Sequence, residues 1–268
     1  MWSAWRPVAG ELMENQAMSE LVLRTDVGGL ATLTLNRPDK LNALTVPMFL
    51  ELRAHVDRIA EQTDTVGLVM VRGAGKCFSA GNDLAGIAGG AEAPKPSFQS
   101  ETVELLANLP QPVISAVHGH CYTGALELAL AGDIIIAAHS ARFGDTHAKW
   151  ALTPRWGMSQ RLPRRVGRAK ASEMSFTART YTGEQALAMG LVNDCVPDDG
   201  FDAYLQALAE QILSNSWFSH RANKRLMRET EGLPLTAGLA YESHRSEGRG
   251  PDMQARIAAF TSKGASRG

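Results

Sequence analysis

Two alternating runs open the readable part of the chain. LVLRT and LATLTLN put apolar and polar side chains on opposite faces, the period of half-buried strands. DVGG joins them, and Gly28 and Gly29 can take the positive φ that a hairpin turn requires. RPDKLNAL then reads as a polar loop, because Pro38 cannot donate to a ladder. Thr45 as a cap and Pro47 in the first turn start a helix. Its Phe49, Leu52, Val56 and Ile59 recur at helical spacing opposite charged neighbours.

VGLVMV (66–71), PVISAV (112–117) and DIIIAA (133–138) are apolar without alternation, the mark of strands buried on both faces. The intervening patterns predict helices over Glu101 to Asn108 and over ALELALA, the latter stopping at Gly132. Strand, helix and strand at this rhythm imply crossover units and a mostly parallel sheet, hence an α/β fold. The first two of these strands release glycine-rich loops at their carboxyl ends, where open α/β sheets place ligands. Further on, MSQRLPRRVG, AKASEMSF and TGEQALAMG read as helices, the last with a Thr182 cap and a Gly190 stop. A short strand, LVNDCV, precedes three helices at about 200–214, 218–230 and 251–262. GIAGGAEAPKPSFQ (86–99), rich in Gly, Ala and Pro, is expected to be a mobile surface loop, and residues 1–20 a flexible extension.

Composition narrows the function classes. Hydrophobic residues make up 44% of the 268, enough for a sizeable core. With 27 basic and 28 acidic residues, nothing indicates a nucleic-acid surface. The most apolar stretch is broken by Glu127 and Asp133, so no membrane span is predicted. Cys77, Cys121 and Cys195 are few and far apart, which fits a reducing, cytoplasmic setting. GAGK (73–76) lacks the earlier glycine and the Ser or Thr of a phosphate loop. HGHC (118–121) has no second ligand cluster, so His118 and His120 are expected to be structural and no metal is expected. There is no G-x-S-x-G elbow for a serine hydrolase.

Two loops remain, FSAGNDL (78–84) and GHCYTGALELALAGD (119–133). Both carry small residues where backbone can approach a ligand closely, and the second starts a helix near Gly124 whose first N–H groups are unpaired. Two such loops can aim amides at one oxygen and form an oxyanion hole. Together with LNRPDKLNAL and YTGEQALAMGLVNDCVP, they make the chain resemble the crotonase family, the enoyl-CoA hydratase/isomerase superfamily, from about Leu21 to Lys263. The resemblance implies a crotonase-like spiral of ββα units (21–200) and a C-terminal helical trimerisation region (201–268). It also implies an acyl-CoA thioester ligand, no cofactor beyond the substrate's own coenzyme A, and self-association to a homotrimer or hexamer.

Carried over by position, the resemblance assigns the oxyanion donors to the backbone N–H groups of Asn82 and Gly124. Ala80, Asp83, Leu84 and Ala85 would line the thioester. Lys40, Leu41 and Ala43 would follow the coenzyme A. Lys263 would meet a coenzyme A phosphate, although Ala255 and Arg256 replace the Glu-Gly pair usual nearby. Glu127 falls on the first of the two glutamates that hydratases of this family use. One helical turn past Gly124 and flanked by apolar residues, it reads as buried, and a buried carboxylate is uncommon without a task.

The second glutamate position falls on His147, in GDTHAKW. Two readings stand: an imidazole that replaces the carboxylate as proton carrier, or one that fills its space in a silent site. Asp145 is either a compensating acid or the group that orients the ring. Trp150, Trp156 and Met158 would wall the acyl pocket. The leading expectation is therefore an enoyl-CoA hydratase-like lyase. The rivals are an isomerase, a hydrolase or decarboxylase of the same superfamily, and a non-catalytic acyl-CoA-binding protein.

Overall fold

A computed structural model describes residues 20–84, 86 and 92–265, the last three by backbone alone. The expected flexible extension and the middle of the expected mobile loop lie outside these residues. Nine strands are described: β1 (Val22–Val27), β2 (Leu30–Leu35), β3 (Leu68–Gly73), β4 (Val113–Val117), β5 (His120–Tyr122), β6 (Ile134–Ala138), β7 (Arg142–Gly144), β8 (Tyr181–Thr182) and β9 (Asp194–Val196). The described helices are α1 (Val46–Glu61), α2 (Phe98–Ala107), α3 (Gly124–Ala129), α4 (Met158–Thr177), α5 (Gly183–Ala188), α6 (Phe201–Leu213), α7 (Trp217–Glu229), α8 (Leu235–Arg245) and α9 (Met253–Ala265).

Six strands form one sheet in the order β1-β2-β3-β4-β6-β9. Only the β1–β2 hairpin is antiparallel; every other pair is parallel, as the unbroken apolar runs predict. One face packs on α1, α2 and α3 through Phe49, Leu52, Val56, Val103, Leu106 and Leu126. The other is covered by Phe201, Leu205 and Ala209 of α6. With both faces covered, β4 has no exposed residue.

The structure corrects several boundaries. The first buried strand runs 68–73 rather than 66–71, because the Val66 and Gly67 amides bond Gln62 and Gly29 in a turn. Phe98 and Gln99, assigned to the mobile loop, begin α2. Four helices follow residue 200 rather than three; α8 buries no side chain, so it carries no apolar stripe to announce it. A second sheet of β5, β7 and β8 was not expected, since strands of two or three residues are too short to show a period. Gly167, with φ 76, does break the helical run into the two segments read from the sequence. The Arg165 guanidinium of α4 donates to the Gly132 and Asp133 carbonyls just past α3.

One side chain ties together the loops that carry the site. Asn42 is fully buried at φ 52, a conformation Asn tolerates better than most residues. Its Nδ2 donates to the Ala74 and Cys77 carbonyls, both at 2.8 Å, and its Oδ1 accepts from the Arg37 amide at 2.8 Å. Its own carbonyl accepts from Ser79 Oγ at 2.7 Å. At the other end of the sheet, α7 docks through Trp217, whose ring lies on bare backbone: a Cβ built on Gly67 would come 2.3 Å from it.

Two stability outcomes follow. Asn42→Ala strands two buried carbonyls and an amide, and is expected to cost on the order of 3 kcal/mol in urea unfolding. Gly67→Ala forces the Trp217 indole off its seat and is expected to cost about 1–3 kcal/mol by the same measurement.

Candidate active site

The loop after β3 and the loop after β4 run side by side. Parallel bridges join Ser79 to Cys121 and Leu44 to Asn82. In the second bridge Leu44 donates to the Gly81 carbonyl at 2.8 Å and accepts from the Asp83 amide at 2.9 Å. Because successive amides of an extended segment alternate sides, the Asn82 N–H is left on the opposite edge. Gly81, at φ 104, packs so closely that a Cβ there would meet the Tyr122 carbonyl at 2.7 Å. Gly124 starts α3, where first-turn amides have no helical acceptor. Among the described residues, neither the Asn82 nor the Gly124 amide donates to a protein acceptor.

Thr123, immediately before this helix, has φ 52 and ψ −113. That region is costly for a β-branched residue. Its hydroxyl is fixed by the Thr146 hydroxyl at 2.6 Å.

Both amides border one cavity of about 520 Å³. Of the residues singled out in the sequence, Ala80, Asn82, Leu84, Gly124, Glu127, His147, Trp150 and Trp156 line it. Asp83 does not; its carboxylate pairs with Arg37 at 2.7 Å. Leu41 is outside the lining, and its carbonyl accepts from the amide of the lining residue Ala80 at 2.9 Å. Lys40 and Ala43 flank it on the same loop, outside the lining. Ala85 lies outside the described residues, and Lys263 falls in α9 with its side chain undescribed. Lining residues not anticipated include Tyr122, Thr146, Lys149 and Thr180.

The acid–base groups form a chain. Glu127, one turn into α3, is 2% exposed. Its Oε1 accepts from the Trp156 amide at 2.7 Å and the Met158 amide at 3.1 Å. Burial pushes its carboxyl above the ordinary range, and these two amides offset part of that rise. Glu127 Oε2 lies 3.8 Å from His147 Nε2. On the far side of the ring, Nδ1 lies 2.7 Å from Asp145 Oδ1, and Ser175 Oγ of α4 donates to Asp145 Oδ2 at 2.6 Å. Burial alone would raise the Asp145 carboxyl, but the His147 and Ser175 bonds outweigh it and hold it below its usual value. An ionised carboxylate only accepts, so Nδ1 carries a proton, and Nε2 is the ring nitrogen that faces Glu127.

Ser175 had no signal in the sequence: it lies 28 residues beyond His147 on a helix whose pattern is otherwise unremarkable. His118 holds loops together through Nε2 and the Gly75 carbonyl at 3.0 Å, while the His120 ring stacks on Tyr122. Among the described residues no group of three His, Cys, Asp or Glu side chains is arranged to hold a metal ion, and no helix is long and apolar enough to cross a membrane.

A second, larger groove of about 920 Å³ lies between α2, α4 and α7. It meets the first cavity at Arg155 and Trp156, which line both. The Trp156 ring stands over Gly124, within 2.5 Å of where a Cβ would be, and meets Phe49 edge-on at 4.9 Å.

The chain matches known proteins along nearly its whole length. The family model for enoyl-CoA hydratase/isomerase matches residues 25–264. The chain is 33% identical over 255 residues to the 1,2-epoxyphenylacetyl-CoA isomerase of Escherichia coli, covering 92% of this chain and 97% of that one. It is 34% identical over 229 residues to the 2,3-dehydroadipyl-CoA hydratase of the same organism, covering 84% and 88%. The crystal structure of an enoyl-CoA hydratase from Bacillus anthracis superposes with a TM-score of 0.85 at 31% identity, covering 91% of this chain and 96% of that one. Two open amides over one cavity, the α/β spiral around them and a match along nearly the whole chain make this protein a member of the enoyl-CoA hydratase/isomerase family, with the crotonase fold.

Proposed function

We propose that the protein is an enoyl-CoA hydratase-like lyase, adding water across the C2–C3 double bond of a 2-enoyl-CoA thioester. The observation that carries this reading is the acid–base pair: a buried, protonation-prone Glu127 3.8 Å from an imidazole whose other nitrogen is held by Asp145. The thioester oxygen sits between the Asn82 and Gly124 amides, which stabilise the negative charge as the enolate forms. Losing one such donor typically costs about 3 kcal/mol of barrier.

The proton count closes within the pair. His147 Nε2 takes a proton from water as its oxygen bonds to C3. The C2–C3 π electrons move to the enolate, and Glu127 Oε2 then gives its proton to C2. The imidazolium returns a proton to Glu127 across the short gap, leaving both groups as they began with one water added. Asp145, kept ionised, stabilises the imidazolium in between. His147 thus does a carboxylate's work with a single acceptor nitrogen, and Asp145 is a positioning residue.

A second reading is isomerisation, favoured by the full-length likeness to an acyl-CoA isomerase. The same pair could move a proton between carbons without bound water. Incubation with crotonyl-CoA in heavy-oxygen water separates the two. Label at C3 of the product supports hydration; consumption of a 3-enoyl ester with no label incorporated supports isomerisation.

The C-terminal helices support self-association. Leu235 and Leu239 of α8 and Phe260 of α9 are exposed by 78%, 57% and 80%. Such side chains are unfavourable in water, and we assign them to contacts between copies in a trimer or hexamer.

Glu127→Gln is expected to lower kcat at least a hundredfold, within the usual range for a lost general acid. Because Glu127 must be protonated, the wild-type rate falls as pH rises through its elevated pKa. Burial is the main cause of that elevation and the Asp145 charge adds to it, so Asp145→Asn should move this limb to lower pH as well as slowing turnover; loss of the limb altogether in Glu127→Gln would assign it to Glu127, and its persistence there would remove Glu127 as the acid. Light scattering should give a trimer or hexamer for the wild type and smaller species for Leu235→Glu/Phe260→Glu.

A further inference from the structure

We infer that Trp156 is the residue that sets acyl chain length, closing the catalytic cavity against the large groove behind it; this rests on the acyl-CoA reading above. The two spaces, about 520 and 920 Å³, meet at Arg155 and Trp156. Arg155 is exposed and holds only the Pro96 carbonyl, at 3.3 Å, so it borders the opening rather than closing it. The indole of Trp156 is the partition.

That partition is held by its backbone and by two ring contacts. The Trp156 amide donates to Glu127 Oε1 at 2.7 Å, and its carbonyl accepts from Arg161 Nη1 at 2.8 Å. Its ring lies on the bare Cα of Gly124 and meets the edge of Phe49, itself fully buried. The seat on Gly124 and the contact with Phe49 fix the indole between the two spaces. An acyl tail directed past Glu127 therefore stops at the indole.

The groove beyond can take a tail if the indole is removed. Its walls include the apolar Ala107, Leu130, Ala131 and Met227, with charges such as Arg164 and Arg228 around them. Alkyl chains can lie along such a floor while the charges stay solvated. The chemistry of the ligand is accordingly a short acyl thioester in the wild type. The extension is present in the fold, closed by one side chain.

Saturated esters test this without depending on turnover. Calorimetry with butyryl-CoA and decanoyl-CoA should show the wild type binding the short ester at least tenfold more tightly. Trp156→Ala should shift the decanoyl-to-butyryl affinity ratio at least tenfold toward the long ester, with Trp156→Phe in between. The backbone amide to Glu127 survives both substitutions, and circular dichroism checks that each variant is folded; if Trp156→Ala is not, Trp156→Phe decides. An unchanged ratio in a folded variant overturns the inference, as does equal wild-type affinity for both esters. Crotonyl-CoA turnover by the wild type is measured separately. No turnover with the ratio shift intact would end the hydratase reading and leave the Trp156 limit standing; no binding of either ester would end both.

Discussion

A backbone amide almost never goes without an acceptor inside a protein, and this fold is organised around leaving two of them open. The Leu44–Asn82 bridge consumes the Gly81 carbonyl and the Asp83 amide, so register alone turns the Asn82 N–H the other way. The start of α3 exposes the Gly124 N–H for a different reason, since a helix cannot satisfy its own first turn. Neither arrangement depends on a particular side chain at the ligand. Both depend on the loops after β3 and β4 staying in register, which the Ser79–Cys121 bridge enforces, while Asn42 ties the loop after β3 to the loop before α1. The rigid parallel sheet fixes where those loops begin.

Around that constant element the charges are distributed unevenly. Glu127 and Asp145 are both buried acids, yet their environments drive them apart: one lacks a full set of donors and is pushed toward the neutral form, the other has His147 and Ser175 and stays ionised. An imidazole between two carboxyl groups of opposite tendency has a direction built into it. His147 comes with its own support, a partner on the same loop that is itself held by a hydroxyl from α4.

Much of this was legible in the chain, for definite reasons. Unbroken apolar runs exposed the parallel strands, and a single acid inside ALELALA exposed Glu127, because burying a carboxylate is conspicuous. The cavity-lining amides could be assigned through motif position, since a backbone group needs no particular side chain to announce it. What stayed hidden depends on distant packing. Asn42 and Ser175 are ordinary polar residues whose partners lie 32 to 35 and 30 positions away. Asp83 was expected to line the thioester with its neighbours, but an Arg37 distant in sequence draws it aside. α8 escaped notice because its apolar side chains face outward, contrary to the rule by which helices are recognised.

Thr123 shows how the loop before α3 is kept taut. A glycine there would adopt the same backbone angles without penalty, whereas threonine holds them at a cost on the order of 1–3 kcal/mol, partly returned through the Thr146 hydroxyl. The site thus trades some robustness of the whole molecule for immobility at one peptide. Selection for heat resistance alone would tend to soften this position first, and the same change would loosen the aim of the neighbouring Gly124 amide.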